Sequence, residues 1–293
     1  MIEKFINYLK YEKNYSENTI NSYRVDLEQF SDYLASIGVR FDVNAISHND
    51  LREWIVSLME AGDKPSSVKR KISSVRSFYK FLNRKGLTMN NPTLKIISPK
   101  LPRPIPVFFQ EKEIDKCLEI SKNIHTFEGI RNSLIIEIIY QTGLRCSEVV
   151  NLLEENVDTH SRQLKVFGKG RKERIIPFGE DLAGMIENYR LAKAEISTSA
   201  DTLFISNKGI SLTSHQVYII VRNLMSMVTT RQKRSPHVLR HTFATTMLND
   251  GADVSAIKAL LGHSSLAATQ VYTHATFEQI KNIYQQSHPR GKK

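Results

Sequence analysis

The sequence predicts a mainly α-helical protein with one small β-sheet, arranged as a helical first domain and a mixed α/β second domain. Three observations predict it. Apolar residues recur at helical spacing through residues 1–90, a proline-rich run divides the chain at 91–106, and a strand-turn-strand pattern then interrupts the helices of 107–293. A chain of 293 residues also exceeds the usual size of a single core.

The first domain opens with a helix over 2–11, and a second begins after Ser16, a residue type suited to capping an N-terminus. That second helix sets Ile20, Tyr23, Leu27, Phe30 and Leu34 at spacings of three and four, which defines one buried face. Two more helices are read over 47–61 and 65–83. In the last, Val68, Ile72, Val75, Tyr79 and Leu82 form a core stripe, while Lys69, Ser73, Arg76 and Lys80 fall on a different face. Cations and a hydroxyl in such a row suit a DNA backbone or groove, although an ordinary solvated face looks the same.

Between the domains, LKIISPKLPRPIP contains Pro99, Pro102, Pro104 and Pro106, which exclude a regular helix or a central strand. This linker carries Lys95, Lys100 and Arg103 with no acid between Arg84 and Phe109, as a tether lying against phosphates would. A solvated connector is the alternative. Beyond it, helices are read over 111–123, 127–141, 146–153, 180–194, 214–228, 236–249, 253–261, 265–273 and 277–287. One hairpin pairs Gln163–Phe167 with Glu173–Phe178 across Gly168-Lys169-Gly170, and Leu203-Phe204-Ile205 is a candidate third strand of the same sheet.

A net charge of +11 points to a polyanionic partner, with nucleic acid ahead of an acidic membrane surface. No run of about 18 apolar residues is present, and the start lacks a signal-peptide core, so a soluble, cytoplasmic protein is expected. Cys117 and Cys146 are too few for a disulfide framework or a thiolate zinc site.

Basic and imidazole side chains of the second domain gather where helices begin or end. Arg145 follows the helix stop Thr142-Gly143; His237, Arg240 and His241 follow Ser235-Pro236; and Gly262 precedes His263. His237 and Arg240, three apart, project from the same helical face and could grip one anion. Two arginines can fork onto phosphate oxygens, and a lysine at a hairpin tip can swing to a leaving oxygen, a set that describes phosphoryl transfer. Plainer readings exist for each: Arg145 paired with Glu148 on the surface, a hairpin tip with no chemistry, Tyr272 as a half-buried aromatic. A metal-dependent nuclease using His237, His241 and His263 is a rival, but no HExxH pattern or carboxylate cluster accompanies them, and Arg240 would repel a cation.

TGLRCSE, the hairpin VFGKGRKERIIPF, SPHVLRHTFATTML, LLGHSS and VYTH occur in that order, and together they resemble the tyrosine recombinase (phage integrase) family, most closely its Xer-type members that resolve chromosome dimers. The resemblance extends to YSENTINSYRVDLEQF, similar to that family's core-binding domain, and so spans nearly the whole chain. It implies a SAM-like core-binding domain followed by a catalytic domain of the tyrosine recombinase fold. Arg145 and Arg240 would clamp the scissile phosphate, Lys169 protonate the departing 5′ oxygen, His237 act as base, His263 bond the phosphate, and Tyr272 attack it. Glu148 would orient Arg145 from behind. The one departure is Lys258, where relatives commonly show Gln. The chemistry yields a 3′-phosphotyrosyl intermediate and needs no metal or nucleotide cofactor. Partners implied are a double-stranded DNA recombination site, a homo- or hetero-tetramer with a related recombinase on that DNA, and regulation by a DNA translocase. A mobile-element integrase or a non-catalytic DNA-binding regulator on the same scaffold is the alternative.

The tail reads as a further helix. Thr276 and Gln279 resemble a capping box, and Phe277, Ile280, Ile283 and Tyr284 form an apolar stripe. The resemblance implies that this helix, 276–287, is exchanged with a neighbouring protomer.

Overall fold

In the computed structural model, which describes residues 1–101, 107–122, 126–168, 173–262 and 274–291, the chain divides into two units, Met1–Pro104 and Ile105–Lys293, each with its own hydrophobic core. In the first, α1 (Ile2–Asn7) runs on as a π-helical turn over Tyr8–Glu12, so that Phe5, Ile6, Tyr8 and Leu9 are all buried. Ser16 caps α2 (Glu17–Ser36) by accepting the Thr19 N–H at 3.4 Å. A reciprocal capping box opens α3 (His48–Glu60): Ser47 Oγ accepts the Asp50 N–H at 3.2 Å, and the Asp50 carboxylate accepts the Ser47 N–H at 2.7 Å. Pro65, with its φ pre-set, occupies the first position of α4 (Pro65–Arg84). The expected stripe Val68, Ile72, Val75, Tyr79 and Leu82 is fully buried, and Trp54 packs on Phe30 with ring centroids 4.7 Å apart.

The second core is organised around α6 (Phe127–Thr142), a helix apolar on every side and therefore surrounded on every side. Leu134, Ile135, Ile136, Ile138 and Ile139 are fully buried, and α5 (Glu111–Lys122), α8 (Glu180–Ala194), α9 (Ser214–Ser226) and α10 (Pro236–Asn249) pack against it. Gly143 ends α6 at φ 62°, and a Cβ there would lie 2.6 Å from the Phe243 ring, so both backbone conformation and packing demand glycine.

Two expectations are corrected. The helix expected over 146–153 stops as α7 (Cys146–Val150), because the chain beyond it pairs with a later segment: Leu203 donates to the Leu152 carbonyl at 2.7 Å, and Glu154 donates to that of Asp201 at 2.9 Å. Consequently Leu203-Phe204-Ile205 does not join the hairpin sheet. That sheet has the antiparallel order β1 (Val157–Asp158), β2 (Gln163–Phe167), β3 (Glu173–Pro177), with Lys165 opposite Ile175 and Phe167 opposite Glu173. The helix expected over 265–273 lies outside the described residues. No helix among the described residues is long and apolar enough to cross a membrane.

After α11 (Val254–Leu261), the tail helix α12 (His274–Ser287) packs against α10, α11 and β3 of its own domain. Ile280 and Tyr284 are buried, as the stripe requires, in the core of the second unit. The side chain of Thr276 lies outside the described residues. Tyr284 donates to Gln141 Oε1 at 3.2 Å and stacks on His288. Arg290, beyond the helix, bonds Glu137 at 3.0 Å and pairs with Asp115.

His288 is buried with both ring nitrogens engaged: Nε2 faces the Tyr140 carbonyl at 3.3 Å, and Nδ1 accepts the Arg290 N–H at 3.1 Å. Only the neutral ring satisfies both bonds. Burial, reinforced by the Arg290 charge, pulls its pKa from 6.5 to about 3, against the hydrogen bond to Tyr140. Between those values the unfolded chain binds a proton that the folded chain refuses, so stability rises with pH by up to about 1.4 kcal/mol per unit and is lost as pH falls from 6.5. Denaturant titrations at pH 7 and pH 5 should therefore show a smaller acid penalty for His288→Phe than for the unsubstituted protein; equal penalties would contradict it.

Candidate active site

Where α6 ends at Gly143, the chain turns and Arg145 takes the extended conformation of a helix cap for α7. Glu148, three residues on, reaches back to it twice. Oε2 accepts the Arg145 backbone N–H at 2.8 Å, and Oε1 accepts its Nη1 at 2.8 Å. The Arg145–Glu148 pair expected from sequence is thus present, but it is not a simple surface pair, because the Glu148 side chain is only 5% exposed.

A second arginine, not among the candidates, meets the same carboxylate. On β3 the side chains alternate, with Glu173 out and Arg174 and Ile176 in. Arg174 forks onto Glu148, Nη1 to Oε1 at 2.9 Å and Nη2 to Oε2 at 2.8 Å. An arginine at an inward strand position is the signal that could have found it, since such a charge is buried only against a partner.

Arg240 completes the group from inside α10. Its side chain is buried, Nη1 bonds the Gly143 carbonyl, Nη2 bonds that of Leu261 at 2.6 Å, and Nη1 stands 3.8 Å from Glu148 Oε2. Three guanidinium groups against one carboxylate leave an excess of two positive charges. Burial foremost, with the neighbouring Arg145 charge next, lowers Arg240 to about 10, so it stays protonated at neutral pH. Burial alone would raise the Glu148 carboxyl, but the bonds from Arg174 and Arg145 outweigh it and hold the group below its ordinary value.

The same arginines grip the end of α11. Arg174 Nε donates to the Leu260 carbonyl at 2.8 Å, Arg240 to that of Leu261, and Arg145 Nη2 to that of Gly262 at 3.4 Å. A helix C-terminus leaves such carbonyls without intrahelical donors and carries partial negative charge, so three cations on three successive carbonyls satisfy both demands. Gly262 takes φ 64° there, and a Cβ on it would sit 3.2 Å from Arg174 Nη1.

The structure therefore brings Arg145, Arg240 and Glu148 together. His237 lies one turn before Arg240 on α10 and is exposed, whereas Arg240 is buried, so the shared face does not give them a shared environment. Lys169, His263 and Tyr272 lie outside the described residues. In sequence, β2 and β3 flank Lys169, α11 ends two residues before His263, and α12 begins two residues after Tyr272.

In the first unit Lys69, Ser73, Arg76 and Lys80 are all exposed on α4, as are Lys95 and Lys100 beyond it. Arg76 is not wholly available to a ligand, since its Nη2 holds the Ile96 carbonyl at 3.1 Å, which fastens the start of the linker to the domain. Arg103 lies outside the described residues. Sequence reasoning missed Arg70, which pairs with the buried Asp26; that carboxylate also accepts from Ser74 Oγ at 2.6 Å. Arg70, Ser73 and Ser74 line an open depression with Asn18, Thr19 and Ser22 of α2.

Known proteins resemble this chain in both of its domains. The profile of the Phage integrase family matches residues 107–279, and that of the Phage integrase, N-terminal SAM-like domain matches residues 2–86. The chain is 40% identical over 295 residues to Tyrosine recombinase XerC of Oceanobacillus iheyensis, covering 99% of this chain and 96% of the relative. It is 38% identical over 292 residues to Tyrosine recombinase XerC of Staphylococcus saprophyticus, covering 99% and 98%. Its fold is similar to that of the XerH site-specific recombinase in a crystal structure bound to difH substrate, a pre-cleavage complex, with TM-score 0.70 and 23% identity over 97% of this chain and 84% of the other. With both domains matched in order and such identity sustained from end to end, the chain belongs to the phage integrase family of tyrosine recombinases.

Proposed function

We propose that this chain is a Xer-like site-specific recombinase that cuts and rejoins a double-stranded DNA recombination site through Tyr272 and serves in resolving chromosome dimers. The observation that carries the reading is the convergence of Arg145, Arg240 and Arg174 on Glu148, with two positive charges in excess. A phosphodiester approaching that group meets fixed cationic donors, and the doubly charged oxyanion of an in-line displacement meets them more strongly.

The steps follow from the residues. The Tyr272 phenol, with an unperturbed pKa near 10, passes its proton to His237 as its oxygen attacks phosphorus. The phosphorus–oxygen bond to the 5′ side breaks, and Lys169 protonates that leaving oxygen. A 3′-phosphotyrosyl bond remains, which a partner strand's 5′ hydroxyl reverses. His263 bonds a phosphate oxygen. Glu148 keeps Arg145 aimed, as outer partners orient the ligands of a metal. The exposed row on α4 with Lys95, Lys100 and Arg103 holds the backbone, a tetramer with itself or a related recombinase brings two duplexes together with exchange of α12, and a DNA translocase regulates the reaction.

The test incubates the full chain with fragmented genomic DNA in excess EDTA, isolates covalent protein–DNA adducts under denaturing conditions and sequences the attached ends. Adducts at one chromosomal site are expected, since the arginines supply the charge a metal would otherwise bring. Adducts that form only with added Mg²⁺ would overturn the chemistry; adducts at the ends of a mobile element would overturn the chromosomal role.

A further inference from the structure

We infer that Arg174 is a positioning residue for strand cleavage, holding the phosphate-clamping arginines in a productive arrangement without touching DNA itself. The inference rests on the reading of Arg145 and Arg240 as clamps. Arg174 is 4% exposed in its side chain, and its hydrogen bonds run inward, two to Glu148 and one to the Leu260 carbonyl. It is therefore placed to act through its neighbours.

Glu148 has two oxygens and four close donors: Oε1 takes Nη1 of Arg145 and of Arg174, while Oε2 takes the Arg145 backbone N–H and Arg174 Nη2. The Arg174 fork fixes the plane of the carboxylate, and that plane lets Glu148 hold the side chain and main chain of Arg145 at once. Without Arg174 the excess charge falls from two to one, and the carboxylate is drawn to Arg240, already 3.8 Å away. A clamp neutralised by its own support grips phosphate less well. The Nε bond to Leu260 adds a second route, because it fixes the first of the three carbonyls from which the chain runs on to His263. The close approach of Gly262 to Arg174 keeps that helix end seated on the guanidinium.

The test compares Arg174→Ala and Arg174→Lys with the unsubstituted full chain on a nicked half-site duplex, measuring single-turnover cleavage at saturating protein, half-site affinity and melting temperature. Cleavage should fall by about 100-fold for Arg174→Ala and about 10-fold for Arg174→Lys, which keeps the charge but not the fork, as for outer partners elsewhere. Affinity should stay within about threefold, so that the loss is in rate and not in binding. The deficits should be equal on phosphate and on a 5′-bridging phosphorothiolate, whose leaving group needs no acid. If Arg174→Ala fails to fold, Arg174→Lys decides alone. Arg174→Lys cleaving within about twofold of the unsubstituted protein would overturn the inference. So would a rate loss matched by lost affinity, or a deficit that shrinks on the phosphorothiolate and so runs through Lys169. An unsubstituted protein that forms no adduct overturns the recombinase reading itself, and is told apart because it fails before any variant is compared.

Discussion

Tyr272→Phe is expected to abolish covalent attachment to DNA, lowering adduct formation by more than about 10⁴-fold while half-site affinity changes by less than about threefold. The substitution removes one oxygen and nothing else. The remaining ring keeps its volume, and the backbone contacts made by Arg145, Arg240 and the first domain are unchanged, so binding survives where chemistry does not. Cys146, beside Arg145, is a poor substitute, because it gives its thiol to the Ser214 carbonyl and burial pushes that thiol above its ordinary pKa. A denaturing gel of labelled nicked DNA after incubation reads the result. A persistent covalent band in the Phe variant would move the nucleophile to a different residue.

Arg240→Ala should cost nearly as much in rate, about 10³- to 10⁵-fold, the range seen when a transition-state arginine is lost in phosphoryl transfer. Its second effect distinguishes it from the tyrosine change. Arg240 satisfies the carbonyls of Gly143 and Leu261 from a buried position, and a buried acceptor left bare costs about 1–3 kcal/mol. The Ala variant should therefore melt earlier as well as cleave more slowly. Arg240→Lys retains a charge but, as a compact point donor, cannot span both carbonyls, and should recover part of the melting temperature with little of the rate. Cleavage by Arg240→Ala at more than about a tenth of the normal rate would remove Arg240 from the clamp.

Much of this arrangement was legible in the residues, and the exceptions share a cause. Ser16, the Ser47–Asp50 box, Pro65 and Gly143 mark helix ends by local chemistry, so the start of α2 and both ends of α3, α4 and α6 were readable to within a residue. Arg145 caps α7 and Glu148 lies three residues on in its first turn, which put their pairing within reach of spacing alone. Arg174 is 26 residues from Glu148, and its significance appears only when β3 faces α7. The third strand failed for a similar reason: Leu203-Phe204-Ile205 has a strand's composition, but its pairing with 152–154 is a long-range choice that no short window contains. In the tail, the period of Ile280 and Tyr284 requires that they be covered without naming the surface that covers them.

The three guanidinium groups are seated on the last carbonyls of α11 by the protein's own contacts. Bringing like charges together is unfavourable, and here the helix end and Glu148 offset that repulsion during folding, so none of it is left to be overcome at the moment of reaction. Donors of this kind do not distinguish the phosphate of a nucleic acid from any other tetrahedral oxyanion. Sulfate and vanadate should therefore bind them in the DNA-free protein, raise its melting temperature, and compete with cleavage.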